Sequence, residues 1–267
     1  MADPEYSDLD RFDEVDATGA ADRFIAFLEL VEGYPDVIAR RQRSYALLRI
    51  AEGGAVADVG CGIGTAAREL AHLGARAIGV DVSKEMVARS RARVSEAAFS
   101  VADAIALPFT DAELAGYRAE RVYQHLHDPG AALAEAMRVL RPGGRIVLVD
   151  QDWDAFLIDG DDPEVTRTIL LGFSDSLVNG RVGRQHRRLL VDAGFVDVVV
   201  EAETVALADY DYCAPFLPTI TEAAVRNGSI DRASVESWLE QLRQRGEEGR
   251  FFAAMTHFLV SAMRPSG

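Results

Sequence analysis

A doubly wound α/β fold, with a mostly parallel sheet that takes its ligands at the carboxyl ends of the strands, is predicted by two features of the sequence. Apolar runs at 55–60, 76–81 and 97–102 alternate with helical patterns at 63–73 and 83–94, and such alternation demands right-handed parallel crossovers. Between the first run and the first helical pattern stands Asp58-Val59-Gly60-Cys61-Gly62-Ile63-Gly64, a glycine-rich turn from a buried strand into a helix.

At 267 residues the chain can bury a full α/β core and still carry a cap. A formal net charge of -15 argues against a nucleic-acid substrate, whose phosphates are held by Lys and Arg, and equally against an anionic membrane surface. Cys61 and Cys213 give neither a disulfide framework nor a metal-ligand spacing, so no metal is expected. With no leading apolar segment and no run long enough to cross a bilayer, a cytoplasmic protein is expected. Residues 1–20 are acidic and are expected to be flexible, with Tyr6 and Phe12 as the side chains a lid would use. One domain is expected from 21 to 267, opening with helices within 21–52 that Gly33 and Pro35 separate. Arg40, Arg41 and Arg43 on the second of these are expected as an exposed row, the alternative being that one of them meets the carboxylate of a ligand.

The glycine turn is the place for a ligand, because glycine lacks the Cβ that would hold one away and reaches backbone angles other residues avoid. A dinucleotide site wants glycines at the first, third and sixth positions, whereas here Gly60, Gly62 and Gly64 stand first, third and fifth and Thr65 sixth. Asp58 would repel a pyrophosphate but suits an amine-bearing ligand. An amino-acid-containing nucleotide fits better. Cys61 is a small residue in a tight turn. Asp81 closes the second run about twenty residues on, where a carboxylate meets ribose hydroxyls, and Asp103, before Ala104, is placed to accept from an adenine amine. Ser83 caps the second helix, and Met86 lies against an adenine or in the core.

Together with Gly79-Val80-Asp81-Val82-Ser83, Ala102-Asp103-Ala104 and Arg138-Val139-Leu140-Arg141-Pro142-Gly143-Gly144-Arg145, the glycine turn resembles class I S-adenosylmethionine-dependent methyltransferases. The closest flavour is the small-molecule branch that includes the ubiquinone and menaquinone methyltransferases. The resemblance spans about 35–150 by motif and 181–265 by arrangement. It implies a seven-stranded Rossmann-like sheet whose last strand is antiparallel, with S-adenosyl-L-methionine as cofactor. It implies cofactor contacts from Asp58, Gly60, Cys61, Gly62, Gly64, Asp81, Val82, Met86, Asp103, Ala104 and Glu120. The implied activity is methyl transfer to O, N or C of a small, moderately apolar or aromatic acceptor, in secondary metabolism. The alternative is a non-methylating enzyme or a ligand-binding protein on the same fold, and a dehydrogenase comes third. A homodimer is left open.

The fourth strand departs from the family pattern, since Arg118, Glu120 and Arg121 interrupt what should be a buried run. Glu120 is expected to pair with Arg118 or Arg121, its backbone beside the amino-acid end of the cofactor. Arg121 and Gln124 then point toward the transferred methyl, and His125 is the candidate base. A helix at 129–140 ends at Arg141-Pro142-Gly143-Gly144, and the strand 145–149 closes on Asp150-Gln151-Asp152-Trp153. Asp152 and Trp153 could hold a cationic or aromatic acceptor, with Arg184, at the start of the helix 183–193, beside them. Insertions at 155–180 and 209–248, the second with Tyr210, Tyr212, Phe216 and Trp238, are expected to cap the acceptor. Strands near 196–200 and 251–264 complete the sheet.

Overall fold

The computed structural model describes residues 15–18 and 21–266, so Tyr6, Phe12 and most of the acidic start lie outside the described residues. A short helix α1 (Val15–Thr18) is followed by α2 (Ala21–Val31) and α3 (Pro35–Leu48). The core then alternates as β1 (Ala55–Val59), α4 (Thr65–His72), β2 (Arg76–Asp81), α5 (Lys84–Arg93), β3 (Ala98–Val101) and β4 (Leu114–Glu120). After α6 (Pro129–Val139) come β5 (Leu140–Gln151), the two-residue β6 (Leu157–Ile158), α7 (Pro163–Ser176), α8 (Val182–Asp192) and β7 (Val196–Leu207). The cap helices α9 (Tyr210–Cys213), α10 (Leu217–Arg226) and α11 (Arg232–Glu247) precede the last strand, β8 (Ala253–Met263).

The strands β3, β2, β1, β4 and β5 lie side by side in that order and are parallel, and β8 is antiparallel to its neighbours β5 and β7. Seven strands were expected and eight form among the described residues. The extra one, β6, pairs with Ala253 and Ala254 of β8 beyond the reach of β5, so it continues a position in the sheet rather than widening it.

Period-two alternation along β5 shows both faces covered. Ile146 and Leu148 pack with the α6 and α8 side chains Leu133, Ala136 and Leu190. Val147 and Val149 pack with Tyr45, Leu48 and Leu70 of α3 and α4. The charges of β4 do not break it: Arg118 is 2 % exposed in mid-strand because carboxylates from two strands meet its guanidinium. The Pro142–Gly143–Gly144 turn remains tied to the last strand, with the Gly143 amide donating to the Arg264 carbonyl at 3.0 Å.

A second apolar cluster joins the two insertions into one cap, with Phe173 and Leu177 from one and Leu217, Ile220 and Trp238 from the other, seated on Ala253 and Met255 of β8. A third ties α1 and α2 to Met86 and Phe216. Among the described residues no helix is long and apolar enough to cross a membrane, and no cluster of metal-ligating side chains forms.

Candidate functional site

The carboxyl ends of β1, β2 and β4, the helices α1 and α2, and the cap helices α7 and α10 line one cavity of about 560 Å³, a volume typical of small-molecule sites. Its position follows from the topology: β1 and β4 are adjacent although the chain visits β2 and β3 between them, so the sheet reverses direction there and leaves a crevice.

At the glycine turn, Gly60, Gly62 and Gly64 have φ of +68°, +51° and +83°. A Cβ on Gly60 would stand 2.3 Å from Val122, so it is the close approach of two strand ends that requires glycine here. The Gly62 amide donates to Asp81 Oδ2 at 2.8 Å and the Ser83 amide to Asp81 Oδ1 at 3.0 Å. This carboxylate is therefore fixed at both oxygens. Burial raises its pKa, and the two amides act against that rise. Asp103 stands exposed at the cavity rim, where the Ile105 amide donates to its Oδ1 at 3.1 Å. Cys61, Val82, Met86 and Ala104 line the same end of the cavity. Burial pushes the Cys61 thiol well above its ordinary range, which fits a packing residue and not a nucleophile. Val15 completes this wall, while Asp16 accepts from the Ser83 hydroxyl at 2.5 Å and from the Lys84 amide at 2.9 Å, capping α5 from outside.

Two expected cofactor contacts are not on the cavity wall. Gly64 faces Phe99 and Ser90, where an added Cβ would clash with the ring at 2.9 Å. Asp58 lies beneath the turn, 2 % exposed, and bonds Arg118 at 2.7 Å. Its Oδ1 is taken by that guanidinium, and the residue does not line the cavity in which an amine would sit. Arg118 also donates to Ser44 at 2.8 Å and pairs with Glu120. Burial opposes ionisation of Glu120, but Arg118, Arg121 and Arg40 hold its carboxyl down to about 2.

The arginines of α3 are a correction to the expected exposed row. Arg40 and Arg41 are buried, Arg40 facing Asp36, Glu120 and Glu203 and Arg41 gripping Glu69 at 2.8 and 2.9 Å. Only Arg43, paired with Glu201, stays at the surface.

On the cavity wall, Glu120 and Arg121 are joined by Glu32, a residue the sequence did not single out. Glu32 bonds the Thr65 hydroxyl at the first turn of α4; burial raises its pKa, with Thr65, Arg121 and Arg41 pulling the other way. The Arg121 backbone is left-handed, φ +57°, and its amide donates to the Val149 carbonyl at 2.8 Å. Among the described residues its guanidinium makes no ion pair, and it shares the wall with two carboxylates.

Gln124 is the hub of the next segment, a single 3₁₀ turn over Tyr123–His125. The Trp153 indole N–H donates to Gln124 Oε1 at 2.9 Å, and Gln151 Nε2 donates to the same oxygen at 3.1 Å. Because an indole is donor only, Gln124 must present oxygen to it and nitrogen to His125 Nε2, 3.0 Å away. His125 therefore accepts at Nε2 in this arrangement. His186 and Asp150, both fully buried, pair at 2.9 Å behind the turn, with the Tyr123 ring edge-on to His186.

Of the expected acceptor-binding residues, Trp153 lines the cavity and packs edge-to-face with Phe173. Asp152 and Arg184 do not line it. They grip each other, Arg184 Nη2 standing 2.7 Å from Asp152 Oδ1, so neither is free for a ligand. The apolar part of the wall comes chiefly from Phe27, Leu28, Phe173, Leu177, Phe216 and Ile220, with His127, Asp128, Gln151 and Thr219 as further polar members. Sequence reasoning placed the cap but not these members, because any packed helix uses the same residue types.

Residues 57–148 match the model of a family described as a methyltransferase domain. A 37.1 kDa protein of transposon TN4556 from Streptomyces fradiae is 40 % identical over 215 residues, covering 77 % of this chain and 61 % of that protein. The O-methyltransferase cnsE of Penicillium expansum is 37 % identical over 107 residues, 38 % of this chain and 39 % of that one. The chain thus spans less than two thirds of either relative. In fold it is similar to phosphoethanolamine N-methyltransferase 2 of Haemonchus contortus solved with S-adenosyl-L-methionine, with a TM-score of 0.62 at 19 % identity, covering 95 % of this chain and 59 % of that one.

Proposed function

We propose that this chain is a class I S-adenosylmethionine-dependent methyltransferase that transfers the methyl group to an oxygen of a small, largely apolar acceptor. The observation that carries this reading is the division of one cavity into a carboxylate-lined end at the glycine turn and an apolar end beneath the cap, joined by Gln124 and His125. O-Methyl transfer by the Penicillium relative supports oxygen over nitrogen or carbon.

The residues present fit S-adenosylmethionine. Asp81 is a fixed carboxylate for ribose hydroxyls, Asp103 an acceptor for an adenine amine, and Glu32, Glu120 and Arg121 offer the opposed charges an amino-acid end requires. When bound, the cofactor supplies a methyl group on a sulfonium, already activated for displacement. The protein's share is to exclude water and align the acceptor, which the apolar cap wall does; alignment alone is worth roughly 7–11 kcal/mol. His125 takes the hydroxyl proton by exchanging the Gln124 amide for the acceptor at Nε2, a contribution of about 10²- to 10⁴-fold. Until the acceptor arrives, the Gln124 amide holds the ring in place.

The remaining proposals rest on composition and packing. The net charge of -15 supports a protein with neither nucleic-acid nor anionic-membrane partners, and the cytoplasm is the location we propose. The cap's seat on β8 supports a single domain from residue 21. A homodimer is the oligomeric state to test, by sedimentation.

Calorimetry with S-adenosylmethionine and S-adenosylhomocysteine tests the cofactor, and a methyl-labelled donor with phenolic acceptors tests the transfer. Binding of both nucleotides and label appearing on oxygen is the expected result. Label that stays on the donor while an acceptor is altered would instead favour the non-methylating reading.

A further inference from the structure

We infer that Asp150 and His186 are positioning residues for the transfer step: the pair braces the turn Tyr123–His125 from behind and so keeps the His125 ring in one orientation at the cavity wall. This rests on the methyl-transfer reading above. Both residues are fully buried, with His186 Nε2 at 2.9 Å from Asp150 Oδ2. Their meeting is built into the backbone. A Cβ on Gly183 would stand 2.8 Å from the Gln151 carbonyl oxygen and 2.9 Å from that of Asp150, so the first turn of α8 runs against the end of β5, and His186 follows within a turn. The Tyr123 ring meets His186 edge-on with centroids 5.5 Å apart, and its hydroxyl is 3.2 Å from that of Tyr117. The Gln124 main-chain amide lies close enough to Asp150 to act, with His186, against the rise in pKa that burial causes. Asn179 completes the brace: its amide donates to the Gln124 carbonyl at 2.9 Å, and its side chain to the Tyr123 carbonyl at 3.4 Å and to that of Leu126. The back of the turn is thus held by ring, amide and carbonyls, while Gln124 and His125 on its front line the cavity.

The pair is a poor device for stability alone. Asp150 Oδ1 and His186 Nδ1 are buried without hydrogen-bond partners, and a buried ionisable pair is often no more stabilising than apolar side chains of the same volume. Leu133, Ile146, Leu148 and Leu190 already pack this layer of the core, and further aliphatic side chains would fill the space. What the pair adds is direction. A neutral ring that donates Nε2–H to Asp150 leaves only a lone pair unmet at Nδ1, whereas a protonated ring would leave an N–H unmet. An imidazole tied to a carboxylate in this way does not turn, and the Tyr123 ring packed against it keeps its place.

The test uses the full chain loaded with S-adenosylhomocysteine, with isotope-labelled histidine reporting ring tautomers by NMR at mildly alkaline pH, where imidazoles are neutral. The chain has five histidines, and His125→Gln identifies the signals that matter. In the wild type we expect His125 as one tautomer, protonated at Nδ1 and bare at Nε2, as its contact with Gln124 requires. In His186→Leu the two ring nitrogens should move toward a common averaged shift, with nucleotide affinity by calorimetry within about threefold of the wild type. His186→Gln, whose amide N–H can reach Asp150, should restore the single tautomer. Where His186→Leu fails to fold, Asp150→Val combined with His186→Leu, which strands no charge, takes its place with the same expectation. With a phenol that accepts label from the methyl donor, kcat in His186→Leu should fall about tenfold at unchanged KM, and His125→Gln should lose nothing more when His186→Leu is added. The inference is overturned if wild-type His125 already averages its tautomers, if the leucine variants leave its signals unchanged, if His186→Gln behaves as His186→Leu does, or if the loss in kcat persists in His125→Gln. Absence of nucleotide binding, or of label on any phenol, strikes the methyl-transfer reading itself, whereas the NMR comparison strikes this inference alone.

Discussion

The two ends of the cavity are made of different materials. At the strand ends the wall is backbone and charge: glycines in left-handed conformation, Asp81 held by two amides, and Glu120 held by arginines. Under the cap it is side-chain surface, Phe173, Leu177, Phe216 and Ile220 drawn from helices that pack mainly on one another. The first end tolerates little substitution, because each group is held in one position by its partners. The second tolerates changes of volume, which is how one fold accommodates many acceptors.

The sharpest way to break this comparison is at the ionic floor. Arg118→Met strands Asp58 in the interior and leaves Glu120 only Arg40 and Arg121, and we expect a loss of about 3–5 kcal/mol in urea unfolding. The same floor has a pH signature. Glu120 titrates near 2 in the fold against 4.5 ordinarily, so its contribution is present above 4.5 and is lost as pH falls from there toward about 2. Acid unfolding followed by circular dichroism should show this phase in the wild type and not in Glu120→Gln.

Next in size, Asp81→Ala should weaken S-adenosylhomocysteine binding about 30- to 100-fold by calorimetry, with the melting temperature little changed. Leu177→Ala, at the other end, should raise the acceptor KM about tenfold and leave the nucleotide affinity within twofold. Equal effects on both ligands would collapse the distinction between the two ends.

Glu32 sharpens the comparison further. Burial raises its pKa, so on acidification it takes up a proton earlier than an ordinary glutamate and loses its attraction for an ammonium group. Nucleotide affinity should fall by about threefold as the pH is lowered through its protonation in the wild type and stay flat in Glu32→Gln. The smallest effect belongs to the surface: Arg43→Ala, which loses only the Glu201 pair, should change stability by less than about 0.5 kcal/mol.

What the sequence revealed follows the same division. The glycine turn, Asp81 and Asp103 were legible because a strand-to-helix turn with acids at successive strand ends has few other uses. Asp58 was misread as a ligand contact, since nothing in the local pattern says that Arg118, sixty residues on, arrives beside it. Asp152 and Arg184 were read as acceptor contacts although they neutralise each other. Glu32 was overlooked because it lies in a turn between two helices and gains its place only when that turn folds over Thr65. The cap was visible as a region but not as a surface, because an apolar residue in a helix carries no mark of which side will face a cavity.

Arg121 holds a backbone conformation that L-residues other than Asn, Asp and Gly rarely adopt. Branched side chains such as Val, Ile or Thr would be strained there whatever their chemistry, so the repertoire available to a descendant of this protein is narrow at the position beside Glu120. Variation in acceptor preference would therefore accumulate in the helices above, while the rim of the sheet changes by a few small polar steps or not at all.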